Sequence, residues 1–235
     1  MKAKNLFLFF LTASLLLFSD GCKKQPVTSV ISADGVRIVF DQKGNGKPAI
    51  IFVHGWSNNK SIWDAQVTHF SEKYKAIAVD LAGCGESGNN RTKWTMSAFG
   101  DDVAAIINKL KLKKVVLVGF SMGAPVVVEA AAKMPENIAG VVLVDDLLNI
   151  ETKYSPEMIH YIDSLMMDLI TNPTNEKLVN NGFYKKNPEE EFQRVLAMLK
   201  GNISKTGLEE SINDYFKWVN EDCPATLKLV KAPVV

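Results

Sequence analysis

The chain has 235 residues, of which 47% are apolar, enough to bury one sizeable core. Lys and Arg number 27 against 26 Asp and Glu, a formal net charge of +1 that offers no basic footprint for a nucleic-acid partner. The sequence holds no internal repeat or low-complexity tract, which excludes a solenoid or a disordered linker protein.

In chain order, the first segment is a processing signal. Lys2 and Lys4 precede an apolar run, Leu6 to Phe18, and then Ser19-Asp20-Gly21-Cys22. A basic start, a short apolar stretch and a small-residue exit read as an export signal over 1–21, too short for a stable membrane span. Cys22 directly after Gly21 resembles a bacterial lipobox. That resemblance implies acylation of Cys22, a tether over 22–29 and a lipid anchor in the bacterial cell envelope. An ordinary secretory signal, leaving a secreted or periplasmic protein, is the alternative.

Val30 to Phe40 alternates around Asp34-Gly35, which predicts a β-hairpin. Gly44-Asn45-Gly46 is a turn, and Pro48 to Val53 a buried strand that ends at His54-Gly55-Trp56. The spacing of Ile62, Trp63, Gln66, Val67 and Phe70 predicts a helix over 59–70. Ala76 to Asp80 is a further strand, followed by the glycine-rich turn Gly83-Cys84-Gly85-Glu86-Ser87-Gly88. That turn lacks the Gly-Lys-Ser/Thr of a phosphate loop. Ser97 is the expected cap of a helix through Leu110, with Phe99, Val103, Ile106 and Ile107 on its inner face.

The next segment carries the chemistry. Val115 to Val118 is a β-branched strand running into Gly119-Phe120-Ser121-Met122-Gly123, and the alanine-rich stretch Ala124 to Lys133 suits a helix. Strand, sharp turn and helix around a central serine is the context of a nucleophile elbow, with Gly119 and Gly123 leaving room for the turn. Gly140 to Val144 is another strand, ending in Asp145-Asp146. Strands alternating with helices predict a mostly parallel α/β sheet covered on both faces, here the core over 30–146.

Residues 147–222 lack buried strand runs and read as a helical cap. Ser155-Pro156-Glu157 starts one helix, with Met158, Ile159, Ile162, Leu165, Met166 and Leu169 on its apolar face; Asn187-Pro188-Glu189 starts a second; Leu208 to Val219 is a third. Met158, Met166 and Met167 offer an adaptable apolar lining, with packing between the cap helices the expected use of most of them. Residues 223–235 are expected to begin the return to the core, with an apolar strand beginning over Val230 to Val235. Cys84 and Cys223 could pair in an exported protein or stand as two small buried residues, and the sequence does not set their separation.

His54-Gly55-Trp56 after the third strand, Asp80-Leu-Ala-Gly-Cys-Gly-Glu-Ser87-Gly after the fourth and Gly119-Phe-Ser-Met-Gly123 after the fifth together resemble the α/β-hydrolase superfamily, in wording close to small esterases and cofactor-free haloperoxidases. The resemblance implies Ser121 as catalytic nucleophile, with the backbone N–H groups of Met122 and Trp56 as the oxyanion hole. It implies supporting roles for His54, Gly55, Asp80, Ser87, Gly119 and Gly123. A serine at the elbow, where epoxide- and halide-displacing members carry aspartate, points to hydrolysis or perhydrolysis of esters, thioesters or amides, with a small-molecule acyl substrate and no cofactor or metal.

The same resemblance places an acid and then a histidine after the serine. The chain supplies only His54, His69 and His160 as histidines. Asp145 or Asp146 is a candidate acid, and His160 a remote candidate base. The sequence is therefore expected to be truncated at its C-terminus, with the last strands, the terminal helix and the catalytic histidine beyond Val235. A non-catalytic, lipid-anchored binding protein on the same fold is the competing expectation.

Overall fold

The computed structural model describes residues 28–145, 153–171 and 204–235. The signal segment, Cys22, Asp146 and the helix expected at Asn187 lie outside these residues.

A six-stranded sheet in the order β1-β2-β4-β3-β5-β6 forms the centre. The strands are β1 (Ser29–Ile31), β2 (Arg37–Lys43), β3 (Ala49–Val53), β4 (Lys75–Asp80), β5 (Val115–Phe120) and β6 (Ile138–Val144). β1 and β2 form the expected hairpin, and β2 runs antiparallel to β4. β4, β3, β5 and β6 are parallel to their neighbours. The apolar runs of β3, β4 and β5 are long because a parallel strand in this setting is covered on both sides.

Strand alternation sorts these residues onto two faces. Ile51, Val53, Ile77, Val79 and Leu117 point to one side, where Val103, Ile106 and Ile107 of α2 (Met96–Lys109) and Val126 to Val128 of α3 (Gly123–Lys133) complete the main core. Ile50, Phe52, Ala76 and Ala78 point to the other, against Trp63, Val67 and Phe70. The helix expected over 59–70 is divided: a 3-10 turn, Lys60–Trp63, leads into α1 (Asp64–Phe70). The Asn59 side chain accepts from Ser61 N–H at 3.0 Å, and Asp80 holds Lys60 N–H at 2.7 Å, which pulls the first turn tight.

Ser97 is not the cap of α2. Thr95, in extended conformation, caps it by accepting from Ala98 N–H, and Ser97 lies within the helix. A second acceptor, Asp214, reaches Met96 N–H at 2.7 Å from α5 (Lys205–Lys217).

After β6, α4 (Pro156–Thr171) and α5 pack on the main core through Ile159, Ile162 and Met166 and through Ile212, Tyr215 and Phe216. Met158, expected inward, is 49% exposed. α5 passes through a π turn, Trp218–Asp222, into α6 (Cys223–Leu227). Pro224 opens that last helical turn, and of the strand expected from Val230 only the last residues join the sheet. Val141 N–H donates to the Pro233 carbonyl and Leu143 N–H to that of Val235, parallel to β6. Cys84 and Cys223 are both buried and form no disulfide with each other.

Candidate active site

The chain leaves β3 and β5 side by side, with Val53 paired to Gly119. The segment after β3 turns to one face of the sheet, into α1, and the segment after β5 to the other, into α3. This reversal opens a crevice at the carboxyl ends of the two strands, the usual place for a ligand in such a sheet.

Ser121 sits in that crevice with φ +51°, a left-handed backbone that a non-glycine residue adopts only under constraint. Two hydrogen bonds impose it. Ser121 N–H donates to the Val144 carbonyl at 3.0 Å, extending the sheet by one rung, and Ala124 N–H donates back to the Ser121 carbonyl at 2.8 Å, closing the first turn of α3. The flanking glycines permit the turn. A Cβ on Gly119 would stand 2.3 Å from the Gly123 carbonyl oxygen, and one on Gly123 would stand 2.7 Å from that of Val53. Gly55 is less tight: a Cβ there would meet the Phe120 ring at 3.0 Å.

A cavity of about 40 Å³ opens on Ser121, lined also by Trp56, Met122, Ile162, Met166, Ile212, Tyr215 and Phe216. None of these lining side chains is ionisable at neutral pH. The Ser121 hydroxyl, the Met122 N–H and the Trp56 N–H have no hydrogen-bond partner among the described residues. Met122 stands at the N-terminus of α3, which has no side-chain cap, so orphan N–H groups and the positive end of the helix dipole face the crevice.

His54 is fully buried and bonded at both ring nitrogens, away from the Ser121 hydroxyl. Leu81 N–H donates to Nε2 at 3.1 Å. The proton must therefore sit on Nδ1, which donates to the Gly55 carbonyl at 2.7 Å. That carbonyl belongs to the same peptide plane as the Trp56 N–H, so the imidazole fixes the plane's orientation. Burial lowers the His54 pKa and keeps the ring neutral.

Asp80, also fully buried, braces the neighbouring turn. Its carboxylate accepts from Lys60 N–H at 2.7 Å, Lys60 Nζ at 2.8 Å and Glu86 N–H at 2.9 Å. Its carbonyl accepts from the Ser87 hydroxyl at 2.6 Å, which in turn accepts from Val39 N–H. Burial opposes the charge on Lys60, but the bonds to Asp80 and Glu86 outweigh it and raise its pKa. Nearby, Arg91 bridges Asp34 and the buried Asp102.

The remaining candidates do not converge on Ser121. His69 lies on α1, edge-on to Phe70. His160 lines a separate open groove of about 540 Å³ with Tyr161, Asp163, Asp168 and Glu209. Met167 faces that groove too, and of the three cap methionines offered as an apolar lining Met166 reaches the Ser121 cavity. Asp145, with φ +46°, follows Val144 at the same sheet edge as Ser121 but bonds to no described residue of the site. Sequence reading missed Lys60, Ser211 and the aromatic wall of Tyr215 and Phe216. The signal for Ser211 was a hydroxyl on the apolar face of α5, between Leu208 and Ile212.

Residues 48–198 match the family model described as the alpha/beta hydrolase fold. The chain belongs to this family. Among curated relatives, it is 36% identical over 112 residues to the 2-(acetamidomethylene)succinate hydrolase of Mesorhizobium japonicum, covering 48% of this chain and 40% of that protein. It is 33% identical over 133 residues to a bifunctional esterase/perhydrolase of Acinetobacter calcoaceticus, covering 54% and 48%. The matched stretches thus span less than half of each relative's length. A thermophilic esterase of Thermogutta terrifontis superposes with a TM-score of 0.68 over 90% of both chains at 21% identity, a likeness of fold. The homologues named hydrolase and esterase make this a hydrolase-fold chain.

Proposed function

We propose that this protein is a serine hydrolase of carboxylic esters or related acyl compounds, working through an acyl-enzyme. The observation that carries the reading is Ser121: a left-handed elbow serine with an unpartnered hydroxyl, in one apolar cavity with two unpaired backbone N–H groups. Ser121 Oγ attacks the acyl carbon and its proton passes to a base. The carbonyl oxygen takes up the negative charge beside the N–H groups of Met122 and Trp56. Collapse expels the alcohol with that proton, and water then releases the acid and restores the serine. His54, Asp80, Ser87 and the glycines 55, 119 and 123 hold this geometry without touching the acyl group.

The cavity has room for about three waters at roughly 10–15 Å³ each, which favours a short acyl group. Relatives named esterase, perhydrolase and hydrolase support acyl chemistry in general. α4 and α5 act as the cap that limits substrate size. None of the three histidines bonds to Ser121 or lines its cavity, so the described residues assign no base to it. The same observation favours a second reading, a non-catalytic binding protein on this fold. In the complete gene product, p-nitrophenyl acetate should give a burst and a 42 Da acetyl adduct on Ser121, about the mass that acetylation adds. A protein that binds acyl compounds with neither burst nor adduct would establish the second reading.

We also propose export and lipid anchoring through Cys22. Cys22→Ser should move the protein from the membrane pellet to the soluble fraction. A wild type already soluble after signal removal would leave the ordinary secretory signal.

A further inference from the structure

Trp56 contributes to this site through both its backbone N–H and its indole, and it is held from opposite ends. On the backbone side, the Gly55 carbonyl accepts from His54 Nδ1–H at 2.7 Å and from Asn58 N–H at 3.2 Å, and the Trp56 carbonyl accepts from Asn58 Nδ2 at 3.3 Å. On the side-chain side, indole Nε1–H donates to Ser211 Oγ at 3.1 Å. Ser211 belongs to α5, is 1% exposed, and spends its own proton on the Leu208 carbonyl at 2.8 Å. Its lone pairs are therefore fixed in direction and aimed at the indole.

Ser211 also sits beside Ile212, which lines the Ser121 cavity, and one turn before Asp214, which anchors α5 to Met96 N–H. The half-buried Trp56 indole N–H finds its acceptor in Ser211, on a helix distant in the chain. The indole forms part of the cavity wall, and it is joined through Cβ and Cα to the amide nitrogen that carries the Trp56 N–H, so a pull on the ring acts on that peptide.

We propose that Ser211 is a positioning residue: its hydrogen bond to the Trp56 indole ties α5 to the backbone N–H of Trp56, so that acyl groups packing on Ile212, Tyr215 and Phe216 are read out as alignment of the oxyanion donor. The inference rests on the serine-hydrolase reading for its consequence in catalysis, but the mechanical coupling stands by itself. It makes Ser211 a determinant of turnover more than of binding, because the acyl group touches its neighbours and not Ser211.

The test uses ¹⁵N-labelled protein and three variants, Ser211→Ala, Ser211→Thr and Trp56→Phe. In Ser211→Ala, the Trp56 indole resonance should shift and exchange faster, and the backbone amide of residue 56 should shift with it. Ser211→Thr keeps the hydroxyl and should restore both. Trp56→Phe keeps an apolar ring without the N–H, and should move the residue-56 amide as Ser211→Ala does. In the complete active protein, Ser211→Ala should lower kcat about tenfold on an acetyl ester with KM within about twofold, less than deletion of a whole oxyanion donor costs. In the Trp56→Phe background the same change should cost nothing further. An indole that shifts while the residue-56 amide stays still would overturn the coupling, as would strictly multiplicative losses in the double variant. A protein without hydrolase activity would remove the serine-hydrolase reading, and the amide shifts would still decide the coupling.

Discussion

Gly119→Ala is the sharpest structural test of the elbow. A Cβ there would lie 2.3 Å from the Gly123 carbonyl oxygen, 2.6 Å from its carbon and 2.8 Å from Val127 Cγ2. Ordinary contact begins at 3.4 Å, so α3 must retreat from β5 by about 1 Å. Two of the three obstacles are helix backbone, which no rotamer change can clear. Overpacking of this kind costs about 1–3 kcal/mol and occasionally more. At the upper end, with about 2–4 °C per kcal/mol for a chain of this size, Tm should fall by roughly 6–12 °C. Gly140 provides the control within the same sheet: a Cβ there meets nothing within 4 Å, and its φ is not in the left-handed range. Gly140→Ala should leave Tm unchanged or raise it, since reduced freedom of the unfolded chain is worth about 0.4–1 kcal/mol. Differential scanning calorimetry of the two variants reads both effects. Equal melting of Gly119→Ala and wild type would refute the close approach of α3 to β5, and with it the constraint that holds Ser121 at positive φ.

Glu129 on α3 accepts from buried Trp218 Nε1–H at 2.6 Å, so Glu129→Ala should cost about 1–3 kcal/mol in urea unfolding, and Glu129→Gln, which keeps an acceptor, clearly less. The depressed His54 pKa means that the unfolded chain takes up a proton which the folded one refuses. Stability should be flat above the ordinary histidine value of 6.5 and fall as pH drops below it, and a pH 5–8 series in which wild type and His54→Gln lose stability equally would count against this. Burial, with Asp80 and Asp102 nearby, pushes the Cys84 thiol up to about 12, and Cys223 is equally buried. In a Cys22→Ser background, Ellman's reagent should therefore find no fast thiol in the native protein and both on unfolding.

The elbow was legible in the sequence because several local signals coincide there. β3 is an unbroken apolar run that is buried throughout, and Gly119 to Gly123 leaves few backbone paths other than a sharp turn. What escaped was decided by distant partners. Thr95 rather than Ser97 caps α2, and Asp214 of α5 secures the adjacent Met96 N–H. The helix expected from Asn59 is tightened at its start by Asp80, a residue of the next strand. Met158 has the helical spacing of its inward neighbours, yet α4 buries a narrower stripe than that spacing implies and leaves it exposed. The apolar run from Val230 to Val235 suggested a strand, yet only its last residues, from Pro233, bond to β6. Within the site, the serine and its glycines could be read directly. The wall of Tyr215 and Phe216 and the bond from Ser211 to Trp56 depend on how α5 docks, which periodicity does not encode.

The measurement that bears most directly on the central claim is covalent labelling of the complete gene product with a fluorophosphonate, followed by peptide mass spectrometry. The expected result is a single modified site at Ser121, labelling abolished in Ser121→Ala, and unchanged circular dichroism between the two proteins. Equal labelling of wild type and Ser121→Ala, or a probe consistently mapped to another residue, would contradict the assignment of Ser121 as the nucleophile.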